Sequence, residues 1–401
     1  MEKRKINAKI IADSKDNRGN RITTYILTYP RIIHAEVMTH RMFSRNAASS
    51  RAIPFNKMVT DIEDDPFIPI AWQKDHKGMQ GTEYITDKKI IDFKTGVWLN
   101  ARNKAVQSAK ELNGNIVKQK QGFISEGNEG EIIEASVTKQ LCNRLLEPFQ
   151  WYTCLVTATE FDNFFSLRCP SYGGFSKNGK EASFRSKKDV RKHFKSFGGN
   201  TTIVDSQCEI GWQSINTSQA EIHIQALAEA MWDAMNESTP KLLNPGEWHI
   251  PFGKNIDDYK VFDILANSET FYNKREEKPK VLKAKIAIAT ARAARLSYMT
   301  FNNEIDYKKD IELHDNLLKS KHASPFEHCA QCMSDLEYYS NINGKICSEE
   351  DDYGIFNLEY YPYFNGEGNG PKKGVNSNND NRFGWSRNFK GFTQYRELMK
   401  L

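Results

Sequence analysis

The densest group of residues able to do chemistry lies between Thr39 and Arg51, in THRMFSRNAASSR. A helix running through it would stack Glu36, His40 and Ser44 at i, i+4 on one polar stripe, with Arg41 and Arg45 flanking it. Beyond the end of such a helix, Asn46, Ser49, Ser50 and Arg51 place short hydrogen-bonding side chains and a guanidinium in a turn. Hydroxyls, free backbone N–H groups and an arginine are what a phosphate monoester requires. A capped surface helix with scattered charges has the same composition. A second group is His322-Ala-Ser324-Pro-Phe-Glu327-His328. Its two histidines and carboxylate could ligate a metal, but Pro325 breaks the helix that an HExxH geometry needs. The alternative is a turn that presents Ser324 and Glu327 to a ligand's hydroxyls. A third group is ATEFDNFFSLR, where Asn163 and Arg168 follow an apolar segment.

Other motifs are weaker. The seven cysteines, Cys142, Cys154, Cys169, Cys208, Cys329, Cys332 and Cys347, are irregularly spaced and read as reduced thiols. Cys329 and Cys332 form the one CxxC, and no second pair completes a zinc site, so no metal is expected. GFSKNGKE, Gly174 to Glu181, has P-loop spacing but ends in Glu181 where a Ser or Thr hydroxyl is needed. No GxGxxG supports a dinucleotide fold. The basic run 177–195, with Phe184 and Phe194, could contact nucleic acid, although a charge run is more often a solvated face or a phosphate-steering loop. In GEWHIPF, Gly246 to Phe252, Trp248 and His249 read as a ring-stacking pair or a buried aromatic turn.

The elements that must position these groups follow from pattern. Residues 5–12 and 20–29 are β-rich around DNRGN and predict a hairpin. Pro30 opens an amphipathic helix through RIIHAEVMTHRMFSRNA, with Ala35, Met38 and Met42 at helical spacing. Further helices are predicted at 100–122, 131–147, 218–236, 280–297 and 309–320. Two polar, Gly-rich stretches, 169–215 and 339–385, read as insertions, leaving a core of 1–168, 216–338 and 386–401. Mixed strands and helices predict an α/β (α+β) fold, a mixed sheet with flanking helices. The 401 residues, 39% hydrophobic and 27% charged with net charge +5 and mean hydropathy −0.65, suffice for a large core. No apolar run approaches the roughly 18 residues of a membrane span, and the first residues carry no leader pattern. The expectation is a cytoplasmic protein without a membrane partner.

Together these motifs resemble the flavin-dependent thymidylate synthases. That family's signature, RHRxxSxNExSxR, is matched by HRMFSRNAASSR, which keeps His40, Arg41, Ser44, Asn46, Ser49 and Arg51 in register. Its ARxSY and HxSPFEH segments appear as ARLSY (Ala294 to Tyr298) and HASPFEH. Its remaining segments appear as NRLLEPFQWYT, DNFFSLR and SQAEI (Ser218 to Ile222). The matches cover 31–52, 139–168, 216–236 and 286–333. In the family ARxSY and HxSPFEH precede the signature; here they follow it, so the sequence looks circularly permuted, as a phage-type member, with the host cytoplasm as its location if phage-encoded. RNFKGFTQYREL near the C-terminus resembles the segment leading into the signature.

The resemblance implies a homotetramer with FAD at subunit junctions. By motif position, Ser297, Ser324, Glu327, His40, Arg41, Asn46 and Asn163 would contact the flavin. Ser49, Ser50 and Arg51 would hold the nucleotide phosphate, with Arg144 and Arg168 at the nucleotide and its pyrimidine ring. Arg168, Arg144 and His40 would be catalytic. NADPH would reduce FAD, and 5,10-methylenetetrahydrofolate would supply a one-carbon unit to C5 of dUMP. No cysteine nucleophile is needed, Cys169 being the minority alternative. Three departures stand out: Thr39 replaces the first Arg, Ala47 replaces the Glu, and Glu36 stands where a Gln usually contacts the nucleotide. A carboxylate there repels phosphate unless it turns away or is protonated. Hydroxymethylation, or another pyrimidine deoxynucleotide, is the alternative, with Gln394 and Arg396 compensating at the substrate. The alternative from another class is a non-catalytic nucleic-acid-binding homologue using the basic insertion.

Overall fold

The computed structural model describes residues 3–78, 81, 83–119, 122–124, 131–175, 181–196, 209–268, 274–296, 306–342, 345–346 and 383–401. Strand β1 (Asn7–Lys15) and β2 (Arg21–Pro30) form the expected hairpin, Asn7 opposite Thr28 and Lys15 opposite Arg21. Its turn is closed by Asp16, whose Oδ1 accepts from the N–H groups of Arg18 (3.0 Å) and Asn20 (2.8 Å), and by Gly19 at φ +91°. That angle is open to glycine at no steric cost.

The predicted helix over 31–47 does not form as one element. Helix α1 (His34–Met38) ends where the Thr39 hydroxyl donates to the Glu36 carbonyl, and the chain turns into β3 (Ser44–Ala47). The reason is burial. The helically spaced Ala35 and Met38 are exposed, whereas Ser44, Asn46 and Ala48 are buried at a period of two. They follow β4 (Trp151–Ala158), which needs a partner on that edge. The i, i+4 stripe of Glu36, His40 and Ser44 is therefore broken.

The main sheet is completed by β5 (Lys241–Leu242) in the order β5-β1-β2-β4-β3, with β5 parallel to β1 and the other pairs antiparallel. Helices cover both faces. Tyr25, Leu27, Tyr29, Cys154 and Val156 pack against α5 (Ile222–Glu237), while Leu155 and Ile26 meet Ala293 and Leu296 of α6 (Lys274–Leu296). A three-stranded antiparallel sheet of β6 (Trp248–His249), β7 (Ala330–Cys332) and β8 (Phe392–Gln394) lies beside it. Phe326, Tyr395, Ile288 and Tyr307 of α7 (Tyr307–Lys319) share one apolar cluster. The fold is thus a mixed α/β sheet with flanking helices.

Other boundaries shift for local reasons. Helix α3 (Lys88–Asn113) replaces the expected 100–122: Asp87 caps it by accepting from the Lys89 and Ile90 N–H groups, and Gly114 ends it. It packs beside α2 (Phe55–Asp64). The helix expected over 131–147 is instead a strand at Glu131–Ile133, a turn of helix at Lys139–Cys142 and a 3₁₀ segment at Asn143–Phe149 that contains Pro148. Among the described residues no helix is long and apolar enough to cross a membrane.

Candidate functional site

Arg168 ends α4 (Asp162–Arg168) and joins two residues that the broken helix had seemed to separate. Its Nε donates to His40 Nε2 at 3.3 Å and its Nη1 donates to Glu36 Oε2 at 3.4 Å. A guanidinium only donates, so the His40 Nε2 is bare and its ring neutral. Burial, then the charges of Arg168 and Arg45, hold the His40 pKa down to about 4. The ring is fixed edge-on to Phe164, centroids 4.8 Å apart. Glu36 is displaced the other way: burial, followed by the nearby Glu221, raises its pKa, against the pull of Arg168.

Two clefts open on this node. One, of about 1020 Å³, is lined by Glu36, Arg168 and Glu221 together with Ser171, Ser183 and Arg185 of the 169–215 stretch. Arg185 is held there by the Trp232 ring, 4.8 Å from its guanidinium carbon, and by a 3.2 Å bond to Ser166 Oγ. The second cleft, of about 550 Å³, is lined by His40, Arg41, Asn163 and Trp385. Arg41 and Asn163 are exposed in it.

The remaining predicted residues form two further groups. Asn46 lies within 3.4 Å of the Ala293 carbonyl of α6 and 3.2 Å from His328 Nε2, 282 positions along the chain. With its amide nitrogen facing Ser324 Oγ (3.1 Å) and the Ser324 carbonyl (3.2 Å), it ties the signature to the HASPFEH turn. Glu327 in that turn is ion-paired with Arg396, whose Nε also donates to the carbonyl of Leu401. In the other group, Ser50 Oγ donates to Glu147 Oε1 (2.5 Å), which also receives Arg144 Nη1 (3.4 Å). Asn143, fully buried, holds the turn by donating to the carbonyls of Ser50 and Ile53. Ser49 is half-buried and Arg51 exposed.

Some expectations are corrected. Gln394 does not line the Arg168 cleft: it is fully buried in β8, donating to Asn388 Oδ1 (2.6 Å) and Ser44 Oγ (3.4 Å). Arg396 is likewise turned to Glu327 rather than to that cleft. Cys169 is buried, and burial pushes its thiol up to about 12, which removes it as a nucleophile at neutral pH. Cys329 and Cys332 are buried in different apolar clusters, their thiols pushed up to about 12 and about 11. His322 is exposed while His328 is buried. His249 is buried too, whereas Trp248 packs on Tyr395. Ser297, Cys208, Cys347 and the centre of GFSKNGKE lie outside the described residues.

Sequence reasoning missed Glu147, Glu221 and Arg185. Glu221 was visible within SQAEI, and its side chain caps α5 by accepting from the N–H groups of His223 and Ile224. Glu147 and Arg185 carried no separate signal.

The fold and its polar clefts define a mixed α/β protein with an arginine, Arg168, lining a polar cleft. No family model matches the chain, and no curated protein matches it. Among solved structures the chain is similar to PolB, a UMP/dUMP methylase from Streptomyces cacaoi, in crystals bound with 5-Br dUMP and with 5-Br UMP. Both show 12% identity and a TM-score of 0.32 over 54% of this chain; the match spans 66% of the first structure's chain and 69% of the second's.

Proposed function

We propose that the chain is a flavin-dependent enzyme that modifies C5 of a pyrimidine deoxynucleotide, in the first instance reductive methylation of dUMP with NADPH and 5,10-methylenetetrahydrofolate. One observation carries the reading: the motif segments, far apart in sequence, converge on Asn46, which lies against the Ala293 carbonyl, Ser324 and His328. A chance collection of motifs has no reason to assemble.

The donor set fits part of an FAD. Arg41, Asn163 and the neutral His40 offer a guanidinium, an amide and an imidazole along one cleft, suited to a polar, anionic cofactor with a flat ring. Asn46, Ser324 and Glu327 form a separate group, so on this reading a second copy brings the two together, in keeping with a homotetramer. FAD, when bound, supplies the redox chemistry. The chain's own part is electrostatic: Arg168, oriented by His40 and Glu36, stabilises the enolate charge on a pyrimidine carbonyl that makes C5 nucleophilic. Arg144, Ser49, Ser50 and Arg51 hold the phosphate, and Ser171, Ser183 and Arg185 supply part of the lining of the Arg168 cleft.

Glu36 favours keeping the second reading, hydroxymethylation or another pyrimidine, since a carboxylate at the nucleotide is unusual for dUMP. Glu36→Gln should strengthen dUMP binding about tenfold at pH 8, roughly 1.4 kcal/mol. Because the Glu36 pKa is raised, native affinity should also climb relative to that of the variant as pH falls. Titration calorimetry across pH checks both, and equal affinities would remove Glu36 from the nucleotide.

The reading is tested by incubating the protein with NADPH, 5,10-methylenetetrahydrofolate and each pyrimidine deoxynucleotide in turn. Product mass distinguishes a methyl from a hydroxymethyl gain. A colourless protein that fails to take up added FAD would reject the enzyme and leave the nucleic-acid-binding alternative.

A further inference from the structure

Between the main sheet and its neighbour runs a line of hydrogen bonds through groups that, Asn46 apart, the proposed reaction leaves unused. Ser14 Oγ lies 2.9 Å from His249 Nδ1, and His249 Nε2 lies 2.8 Å from Thr24 Oγ1. Thr24 Oγ1 is 2.8 Å from Thr157 Oγ1, which is 2.8 Å from His328 Nδ1. His328 Nε2 then reaches the Asn46 amide at 3.2 Å. All six side chains are buried. Thr24 and Thr157 stand directly opposite each other in the β2/β4 register, on the face away from Tyr25 and Val156.

Such a line has few ways to be satisfied. A neutral imidazole has one donor and one acceptor nitrogen, and a hydroxyl has one proton to give. If the two rings pointed their N–H groups toward each other, the two threonines would hold a hydroxyl proton without a partner, a costly arrangement in a buried place. The bonds therefore all run one way or all the other. The Asn46 end sets which. Its amide nitrogen has four acceptors around it: the Arg45 carbonyl (3.0 Å), Ser324 Oγ (3.1 Å), the Ser324 carbonyl (3.2 Å) and His328 Nε2 (3.2 Å). The reverse orientation offers that nitrogen only the Ala293 carbonyl at 3.4 Å. With an N–H₂ facing it, His328 Nε2 must be bare.

We propose that Ser14, His249, Thr24, Thr157, His328 and Asn46 form one polarised relay, running from Asn46 to Ser14, that holds both imidazoles as the Nδ1–H tautomer and locks the Asn46 amide against Ser324. His249 and His328 are thereby positioning residues, acting on the site through Asn46. Burial agrees with neutral rings, holding His249 down to about 4 and His328 to about 3. The tautomers follow from geometry alone; the link to a cofactor rests on the flavin reading above.

The test uses the full chain labelled with ¹⁵N in its histidine rings, the signals assigned by through-bond correlation at pH 7. Both rings should be neutral with the proton on Nδ1. A proton on Nε2 of either ring, or an imidazolium, overturns the relay. Thr24→Val then cuts the line and Thr24→Ser restores it. The His328 ring signals should move in the valine variant and recover in the serine variant; signals that stay put overturn the coupling. FAD affinity should fall about tenfold with valine, the loss of one buried hydrogen bond, and recover with serine. Equal affinity in both variants overturns the link to Asn46. A native protein that binds no FAD defeats the flavin reading while leaving the ring signals to decide the relay.

Discussion

Replacing Arg168 by alanine should lower kcat for the proposed C5 transfer by about 10²–10³, the usual cost of removing one preorganised donor from a developing oxyanion. The substrate KM should change far less. Two features of the site justify so large an effect. The guanidinium is held in place before any ligand arrives, by His40 at 3.3 Å and Glu36 at 3.4 Å, so little reorganisation is needed at the moment of reaction. His40 is uncharged, so it orients the guanidinium without neutralising it. Arg168→Lys should recover little, because one ammonium cannot reproduce the fork that meets both partners. Single-turnover rates at saturating dUMP measure the effect. A variant within fivefold of the native rate would move the chemistry elsewhere, the Ser50–Glu147–Arg144 group being next in line.

Acidification should unfold the protein steeply between about pH 6.5 and 4. His40, His249 and His328 are all buried and held at about 4, about 4 and about 3. An unfolded chain takes up protons at its histidines near pH 6.5, whereas the folded chain declines them until far lower. In that window the unfolded state binds more protons, so stability falls as pH falls. The upper limit is about 1.4 kcal/mol per histidine for each pH unit, a serious loss against a total of about 5–15 kcal/mol. Glu36, Glu160 and Asp233, whose pKa values are raised, act in the opposite sense at the acid end, but each is only partly buried and water screens the effect. Thermal melts at pH 7.5, 6.5, 5.5 and 4.5 should show the midpoint falling at each step below 6.5. A flat profile from 7.5 to 4.5 would mean that the three rings are not neutral and enclosed as described.

How much of this was legible beforehand depended on the range of the interaction. The β1/β2 hairpin was readable because its turn residues and alternation are local. Helix α3 was found but misplaced, since Asp87 and Gly114 set its ends and apolar spacing did not. The single helix over 31–47 failed because Ala35, Met38 and Met42 satisfy a helical period by themselves, while the pull of β4 on Ser44–Ala47 comes from residues more than 100 positions away. The site shows the same division. Glu36, His40 and Arg168 were each singled out, yet the stripe imagined for the first two was wrong. What unites them is a guanidinium at a sequence separation of 128 and 132. His328 was weighed as a metal ligand and His249 as a stacking ring, because no local pattern shows that both line the same row of threonines.

The wall that Ser171, Ser183 and Arg185 add to the Arg168 cleft comes from a stretch separate from the strands and helices bearing Glu36, His40 and Arg168. On the proposed reading, recognition of a ligand's outer face and the chemistry at its ring rest on separate segments of the chain. Substitutions at Ser171, Ser183 or Arg185 would then alter what the cleft admits while leaving the buried residues of the main sheet unchanged, a route to new ligands at small cost to folding.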